Sequence, residues 1–328
     1  MRICIIGAGA IGGLLAARLA ANGERVTVVA RGEHLRAIKA HGLRLITDEG
    51  EISAKVEATS DLAGLEPHDL IVLAVKAHQL TPIAADVGRL ARAGGLILTM
   101  QNGIPFWYFS KHGGPYEGRG LESVDPGGII AQHLPVEQVI GSVVYPAAEI
   151  AEPGVIRLIE GNRFSLAELD NSASERIQEV SRVFTAAGFK APVVSDIRAE
   201  IWTKLWGNMS FNPISALTGA TLAGICTHAH GRALAADMMR EAQAVGEKLG
   251  IRFRIPLAKR IAGAEAVGEH KTSMLQDVEA GRATEVDALV GSILELGAIA
   301  EVPTPAISAI YSCMRLLDDT LARQRAGA

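Results

Sequence analysis

Apolar residues in the first half of the chain gather in short runs at residues 3–6, 26–29, 70–75 and 96–100, rich in Val, Ile and Leu. None of the four alternates cleanly with polar positions, as expected of strands covered on both faces in a parallel sheet. Residues 10–22 and 79–92 between them carry helical periodicity, so strand and helix alternate. That order predicts a doubly wound α/β sheet with right-handed crossovers. Residues 139–145, 154–160 and 163–167 read as further, antiparallel strands closing the same domain. A helix is predicted over 174–187 and a short last strand over 192–194.

The texture changes after Asp196. Strand-like runs largely disappear, and helical periodicity continues to Arg325, broken at Gly219, Gly250, Pro256, Gly281 and Pro303. The pattern predicts two domains: residues 1–195, a doubly wound α/β sheet, and residues 196–328, all-α. No internal repeat or low-complexity linker interrupts either.

Composition agrees with this division and narrows the function classes. With 328 residues, 48% of them hydrophobic and 21% charged, the chain can bury two cores. A net charge of −4 gives no basic field for gripping nucleic acid. No apolar run approaches the length of a membrane span, and the N-terminus enters a strand directly, without a basic leader. The three cysteines, Cys4, Cys226 and Cys313, are too scattered for a disulfide framework or a metal cluster. A cytoplasmic setting and no metal are expected. Cys4, inside a strand, reads as a small core residue.

The first chemistry-bearing motif is Gly7-Ala8-Gly9-Ala10-Ile11-Gly12, a G-x-G-x-x-G pattern between a predicted strand and a predicted helix. In that context Gly7 permits the turn, Gly9 lets backbone approach a pyrophosphate, and Gly12 lets the helix pack on the strand. The helix N-terminus then offers N–H groups to phosphate. A dinucleotide-binding, Rossmann-type domain is predicted. An NAD-binding strand would carry Asp or Glu at the end of its second strand, but here Val29-Ala30 runs into Arg31. A guanidinium suits a 2′-phosphate, so NADP(H) is expected over NAD(H); a solvated surface Arg is the alternative. Lys76 and Asn102-Gly103 each follow a strand of the sheet, where ligands of open α/β sheets bind. Each is also explicable as an ordinary turn residue.

In the second half, Lys204, Asn208 and Asn212 recur at i, i+4 and i+8 and so share one helix face. Around them lie Trp202, Trp206, Met209 and Phe211. A Lys held among such groups can have its pKa lowered into the range useful for a general acid; a snorkelling Lys on a solvated face is the alternative. Further along, Ser273 precedes Gln276 by three residues, the spacing of a capping box, and Thr284 is a candidate cap for the next helix. Capping accounts for Ser273 without excluding a carboxylate ligand there.

These segments together resemble the ketopantoate reductase (2-dehydropantoate 2-reductase) family. The resemblance rests on the glycine motif, Val75-Lys76-Ala77, Gln101-Asn102-Gly103, Glu200-Ile201-Trp202-Thr203-Lys204-Leu205, Asn208 and Asn212-Pro213. It is completed by Ser273-Met274-Leu275-Gln276-Asp277 and Gly281-Arg282-Ala283-Thr284-Glu285-Val286-Asp287. It implies an N-terminal Rossmann domain, a helical C-terminal substrate and catalytic domain, and an active cleft between them. It implies NADPH-dependent reduction of ketopantoate in pantothenate biosynthesis, with Lys204 as proton donor and Glu285 completing the catalytic groups. Asn102, Asn208, Asn212 and Ser273 would bind substrate. Gly7, Ala8, Gly9, Ala10, Ile11, Gly12, Arg31, Lys76, Asn102, Ala148 and Glu285 would contact NADPH/NADP+.

Two features depart from the family pattern. Residues 104–128 form a longer stretch than the family has, opening on Phe106-Trp107-Tyr108-Phe109; a lid, a pocket wall and surface packing all fit it. Thr218-Gly219-Ala220-Thr221-Leu222 lacks an Asn that the family often supplies. Both bear on which 2-oxo acid is taken, so another branched or aromatic 2-oxo acid is the neighbouring reading. A non-catalytic NADPH-sensing protein is the reading from a different class. The partner expected is a small 2-oxo acid, with no nucleic acid and no membrane. A homodimer pairing through an apolar helix face such as 289–299 is compatible with the sequence.

Overall fold

The computed structural model describes residues 1–91 and 94–326. The chain forms two compact units. One comprises Met1–Gln101, Phe106–Gly120 and Asp125–Ile197; the other comprises Asn102–Pro105, Leu121–Val124 and Arg198–Ala328.

The first unit begins with β1 (Arg2–Ile6), α1 (Ala10–Ala21), β2 (Arg25–Val29), α2 (Gly32–His41), β3 (Leu43–Thr47), β4 (Gly50–Ala54), β5 (Glu57–Thr59) and β6 (Leu70–Leu73). It continues with α3 (Ala84–Ala91), β7 (Leu96–Thr99), α4 (Ile129–His133), β8 (Val139–Val144), β9 (Ala147–Glu152), β10 (Val155–Glu160), β11 (Phe164–Glu168) and α5 (Glu175–Ala186). Seven strands make the main sheet in the order β11-β8-β7-β6-β1-β2-β5. All neighbours run parallel except β11 against β8. Ile3 pairs with Val26 on one side and Leu70 on the other, and both strands flanking β1 are largely buried. That central position explains why these runs lack polar alternation.

The predicted strand over 154–160 exists as β10 but lies outside the main sheet. It pairs parallel with β3 and antiparallel with β9, in a second sheet ordered β4-β3-β10-β9. The predicted helix over 79–92 opens instead with two short 3₁₀ turns, Ala77–Gln79 and Thr81–Ile83, because Pro82 interrupts a continuous start. Its last residue, Arg92, lies outside the described residues. Residues 192–194 contribute only an isolated bridge, Leu166 to Val193. The aromatic stretch is core: Trp107, Tyr108 and Phe109 are buried, and Trp107 Nε1 donates to Thr99 Oγ1 at 2.9 Å.

The second unit contains α6 (Ile197–Thr218), α7 (Leu222–Thr227), α8 (Ala229–Lys248), α9 (Leu257–Ala266) and α10 (Ser273–Glu279). A π turn over Asp287–Gly291, α11 (Ser292–Ile299) and α12 (Pro305–Ala326) follow. Its core is organised around α6. Trp206 Nε1 donates to the Met239 carbonyl of α8 at 2.7 Å, and Phe253 packs against Trp202 and Trp206 with ring centroids 6.0 and 4.7 Å away. Truncating either Trp to Ala would cost roughly 3–5 kcal/mol. Among the described residues no helix is long and apolar enough to cross a membrane.

Candidate active site

β1, β2 and β6 bring the first set of candidate residues together. The order β6-β1-β2 means that successive crossovers from β1 leave on opposite sides, and crevices at such a switch point hold ligands at strand C-termini. The turn after β1 is fastened to the tip of β2, because Gly7 and Ala8 both donate to the Val29 carbonyl, at 3.0 and 3.2 Å. A Cβ on Gly12 would stand 1.9 Å from the Gly7 carbonyl oxygen, so only glycine lets α1 start this close. A Cβ on Gly7 would press on Val75 and Ala74, in the segment following β6.

Gly9 differs from both. It is the N-cap residue of α1, and a Cβ there would meet no atom within 4 Å. It offers no side chain to the first N–H groups of the helix, which also has no acidic residue in its first turn. Ala10 and Ile11 open that turn. An open cradle at an uncapped helix N-terminus fits the pyrophosphate of a dinucleotide.

Arg31, just past the end of β2, is exposed and is the N-cap residue of α2. Lys76 is half-buried after β6, and its N–H donates to Gln79 Oε1 at 3.1 Å. Gln101 clamps the same edge, donating its side-chain amide to the carbonyls of Leu73 at 2.9 Å and Val75 at 3.1 Å. Nothing in the Gln101-Asn102-Gly103 motif marks Gln101 for this task, because its partners are backbone carbonyls. Ala148 lies on β9, opposite Leu158 of β10 in the second sheet, and packs against the core.

The second unit brings together the stripe on α6. Asn212 is buried, while Lys204 and Asn208 are half-buried. Pro213 follows Asn212 inside the helix and removes the N–H that the Met209 carbonyl would otherwise accept. The Lys204 amine is pulled down from its ordinary value to about 8 by desolvation, opposed by the negative charge of Glu285. An amine near that value is matched to proton transfer at neutral pH.

Asn102 joins this stripe. Asn208 Nδ2 donates to Asn102 Oδ1 at 3.2 Å. The loop carrying Asn102 is held by the π turn: the Ile104 N–H donates to the Ala288 carbonyl at 3.0 Å. In an α-helix that carbonyl would accept the N–H of Ser292, but here the Ser292 N–H reaches back to Asp287. The π turn thus releases the Ala288 oxygen for Ile104, with the Ser292 hydroxyl as a second donor at 2.7 Å. Gly103 makes the approach feasible. Its φ is +96°, and a Cβ would lie 2.2 Å from the Ala288 oxygen. A second loop segment docks nearby in sequence, where Glu295 of α11 accepts from the N–H groups of Glu122 and Ser123 at 2.8 and 2.9 Å.

Glu285 is half-buried just before the π turn, between two anchors to α12. On one side Thr284 Oγ1 donates to Asp318 at 2.7 Å; on the other, Asp287 accepts from Tyr311 at 2.8 Å and Arg315 at 2.7 Å. Thr284 is therefore tied to α12 rather than capping the following helix. Ser273 also proves not to be a cap. Thr272 is the N-cap residue, accepting from the Leu275 N–H at 3.2 Å, and Ser273 is the exposed first residue of α10. Ser273 is thus left with its hydroxyl outside the cap. Among the described residues no group of three or more His, Cys, Asp or Glu side chains is placed to hold a metal ion.

Two family models match this chain, "Ketopantoate reductase PanE/ApbA" over residues 3–106 and "Ketopantoate reductase PanE/ApbA C terminal" over residues 196–318. The chain is 54% identical over 318 residues to a 2-dehydropantoate 2-reductase of Mesorhizobium japonicum, covering 97% of this chain and 98% of the relative. The chain belongs to the ketopantoate reductase family. A 2-dehydropantoate 2-reductase of Pyrococcus horikoshii is 30% identical, with 93% of each chain covered. Among solved structures, a putative ketopantoate reductase from Ralstonia solanacearum MolK2 superposes with a TM-score of 0.92 at 41% identity, over 98% of both chains. As a member of the ketopantoate reductase family the protein is an oxidoreductase, with a Rossmann-type first domain and a helical second one. The family uses a nicotinamide dinucleotide, for which the open cradle at Gly9 leaves room.

Proposed function

We propose that the protein reduces 2-dehydropantoate (ketopantoate) to pantoate with NADPH. When bound, the reduced nicotinamide supplies a hydride to the carbonyl carbon of the 2-oxo acid. Lys204 gives the matching proton to the carbonyl oxygen, so one hydride and one proton together turn the ketone into a secondary alcohol. As negative charge builds on that oxygen, an ammonium beside it stabilises the transition state. The observation that carries the reading is the polar face of α6, where Lys204 shares a stripe with Asn208 and Asn212 and Asn208 donates to Asn102 at 3.2 Å; desolvation there draws the Lys204 pKa down to about 8.

In this reading the remaining roles are those that the family resemblance implies. Asn102, Asn208, Asn212 and Ser273 offer amides and a hydroxyl to the substrate's carboxylate, carbonyl and hydroxyl groups. Glu285 holds Lys204 in its charged form. On the cofactor side, residues 7–12 take the pyrophosphate, and Arg31 and Lys76 take the adenosine 2′-phosphate, which favours NADPH over NADH. Asn102 and Ala148 complete the cofactor contacts. A small 2-oxo acid is thus the partner, in a cytoplasmic biosynthetic setting.

Steady-state NADPH oxidation with ketopantoate, 2-oxoisovalerate and benzoylformate, run beside Lys204→Ala, tests this reading. The expected result is the highest kcat/KM on ketopantoate and a loss of about 10²- to 10⁴-fold in Lys204→Ala. Equal or better turnover of another acid overturns the substrate assignment. Unchanged rates in Lys204→Ala overturn the proton-donor role.

A further inference from the structure

His34 lies in the first turn of α2, three residues beyond Arg31. It is half-buried, and both of its ring nitrogens are engaged. Nδ1 accepts the backbone N–H of Gly154 at 3.0 Å, and Nε2 lies 2.7 Å from the carbonyl oxygen of Ala8. A backbone N–H can only donate, so Nδ1 must present its lone pair. A carbonyl can only accept, so Nε2 must carry the proton. The two contacts together specify the neutral ring in one tautomer. Burial also draws the His34 pKa below its ordinary value, although the bond to the Ala8 carbonyl works against this.

Both ends of this bridge are fixed. Gly154 is the turn between β9 and β10, and its carbonyl accepts from Arg44 of β3 at 2.9 Å, so the donor to His34 belongs to the second sheet. Ala8 is the central residue of the glycine turn. Its N–H is held by Val29 and its carbonyl by His34. In a trans peptide the N–H of the following residue points opposite to the carbonyl. Holding the Ala8 oxygen toward α2 therefore turns the Gly9 N–H away from α2. Gly9 is the residue around which a Cβ would meet nothing within 4 Å.

We infer that His34 is a positioning residue for the dinucleotide's pyrophosphate, acting through the Ala8 carbonyl to set the direction of the Gly9 N–H. The inference rests on the dinucleotide reading of the glycine turn. The second sheet gains a function from it, because the β9–β10 turn sets the imidazole that sets the peptide.

Three variants separate this role from simple support of the fold. His34→Gln keeps an N–H donor near the Nε2 position and so retains the Ala8 bond. His34→Asn keeps an acceptor near Nδ1 for Gly154 and leaves the Ala8 carbonyl without its donor. His34→Phe keeps ring shape and neither bond. NADPH dissociation constants by fluorescence, KM for NADPH, kcat and Tm would be measured for each. His34→Asn and His34→Phe are expected to raise Kd and KM for NADPH about tenfold, the worth of roughly one hydrogen bond, with kcat at saturation unchanged. His34→Gln is expected to stay within about threefold of wild type.

If His34→Asn binds NADPH as wild type does, or if both polar variants weaken binding in step with Tm, the inference is wrong. Should the variants fail to fold, ¹⁵N-histidine spectra of the wild-type protein decide: the Nε2–H tautomer is required, and the Nδ1–H tautomer overturns the inference. Wild type that binds neither NADPH nor NADH overturns the dinucleotide reading and this inference with it. Wild-type binding accompanied by an unaffected His34→Asn overturns this inference alone.

Discussion

Asn208 of α6 donates its side-chain amide to Oδ1 of Asn102 across 3.2 Å, joining the helix that carries Lys204 to the loop that follows β7. The bond uses the acceptor of Asn102, which directs the donor end of that amide elsewhere, where it can meet an oxygen of substrate or cofactor. Removing the partner frees Asn102 to rotate. Asn208→Ala is expected to lower kcat/KM for the 2-oxo acid about 10- to 100-fold, the range for losing one or two well-placed hydrogen bonds. Asn208→Asp would set two acceptors face to face and should be worse. A double-mutant cycle with Asn102→Ala checks the coupling: an interaction energy of about 0.5–3 kcal/mol is expected for groups in one network. Strict additivity would separate the two roles.

Gly103 sets the position of Asn102 from the other side. Its φ of +96° and the 2.2 Å that would separate a Cβ from the Ala288 oxygen leave no room for alanine. Gly103→Ala must displace the loop or break the bond from Ile104 to Ala288. Backbone strain of this kind costs on the order of 1–3 kcal/mol. The expected result is a lower Tm together with a loss in kcat/KM beyond what the remaining folded fraction explains. Activity normalised to folded protein, by circular dichroism or titration with NADPH, is the measurement; a normalised rate equal to wild type would show that the loop does no positioning.

The parts of this fold that could be read in the sequence are those whose burial leaves a one-dimensional mark. β1, β2, β6 and β7 stand out as apolar runs because both faces are covered, and Lys204, Asn208 and Asn212 stand out because helical spacing puts them on one face. β4 and β9 left no such mark. They are mostly exposed, and residues such as Glu51, Ser53, Glu149 and Glu152 give no apolar run. β10 was legible as a strand, but its partners were not, since pairing with β3 depends on chain far upstream. The same limit hid the grip of Ala288 on Ile104 and the imidazole of His34 between Ala8 and Gly154. Each joins residues distant in sequence through a backbone carbonyl, which carries no residue signature.

Lys204 makes the pH dependence of reduction predictable in sign. Its pKa falls from 10.5 to about 8, so the ammonium is nearly complete below about pH 7 and is lost as pH rises through 8. A proton donor must be charged, so kcat/KM for reduction is expected to fall above about pH 8. The Glu285 charge raises the Lys204 pKa, so Glu285→Gln should move that limb to lower pH. Lys204→Arg keeps its charge throughout and should abolish the limb while lowering the rate. A pH–rate profile that stays level to pH 10 in wild type would remove Lys204 as the titrating acid.

Arg31 tests the choice between the two nicotinamide dinucleotides. It is exposed at the start of α2, just past the tip of β2, and a charged hydrogen-bonding pair with a 2′-phosphate is worth roughly 1.5–3 kcal/mol. Arg31→Ala should raise KM for NADPH about 10- to 100-fold and leave KM for NADH nearly unchanged. Equal effects on both cofactors, or none on either, would show that the guanidinium does not read the 2′-phosphate.

Thr272 and Ser273 stand side by side at the start of α10, and the cap that the spacing predicts at Ser273 falls to Thr272 instead. Thr272 is buried and accepts the Leu275 N–H, while the Ser273 hydroxyl lies outside the cap. Losing a side-chain N-cap costs about 1 kcal/mol, so Thr272→Ala should lower Tm by roughly 2–4 °C. Ser273→Ala should leave Tm within about 1 °C, since exposed substitutions away from such features change little. If the Ser273 hydroxyl binds the substrate's carboxylate or hydroxyl, its loss raises KM for the 2-oxo acid about tenfold at constant KM for NADPH. Thermal melts and steady-state kinetics on the two single variants separate these outcomes, and a Ser273→Ala protein that melts early with unchanged kinetics would reverse the division.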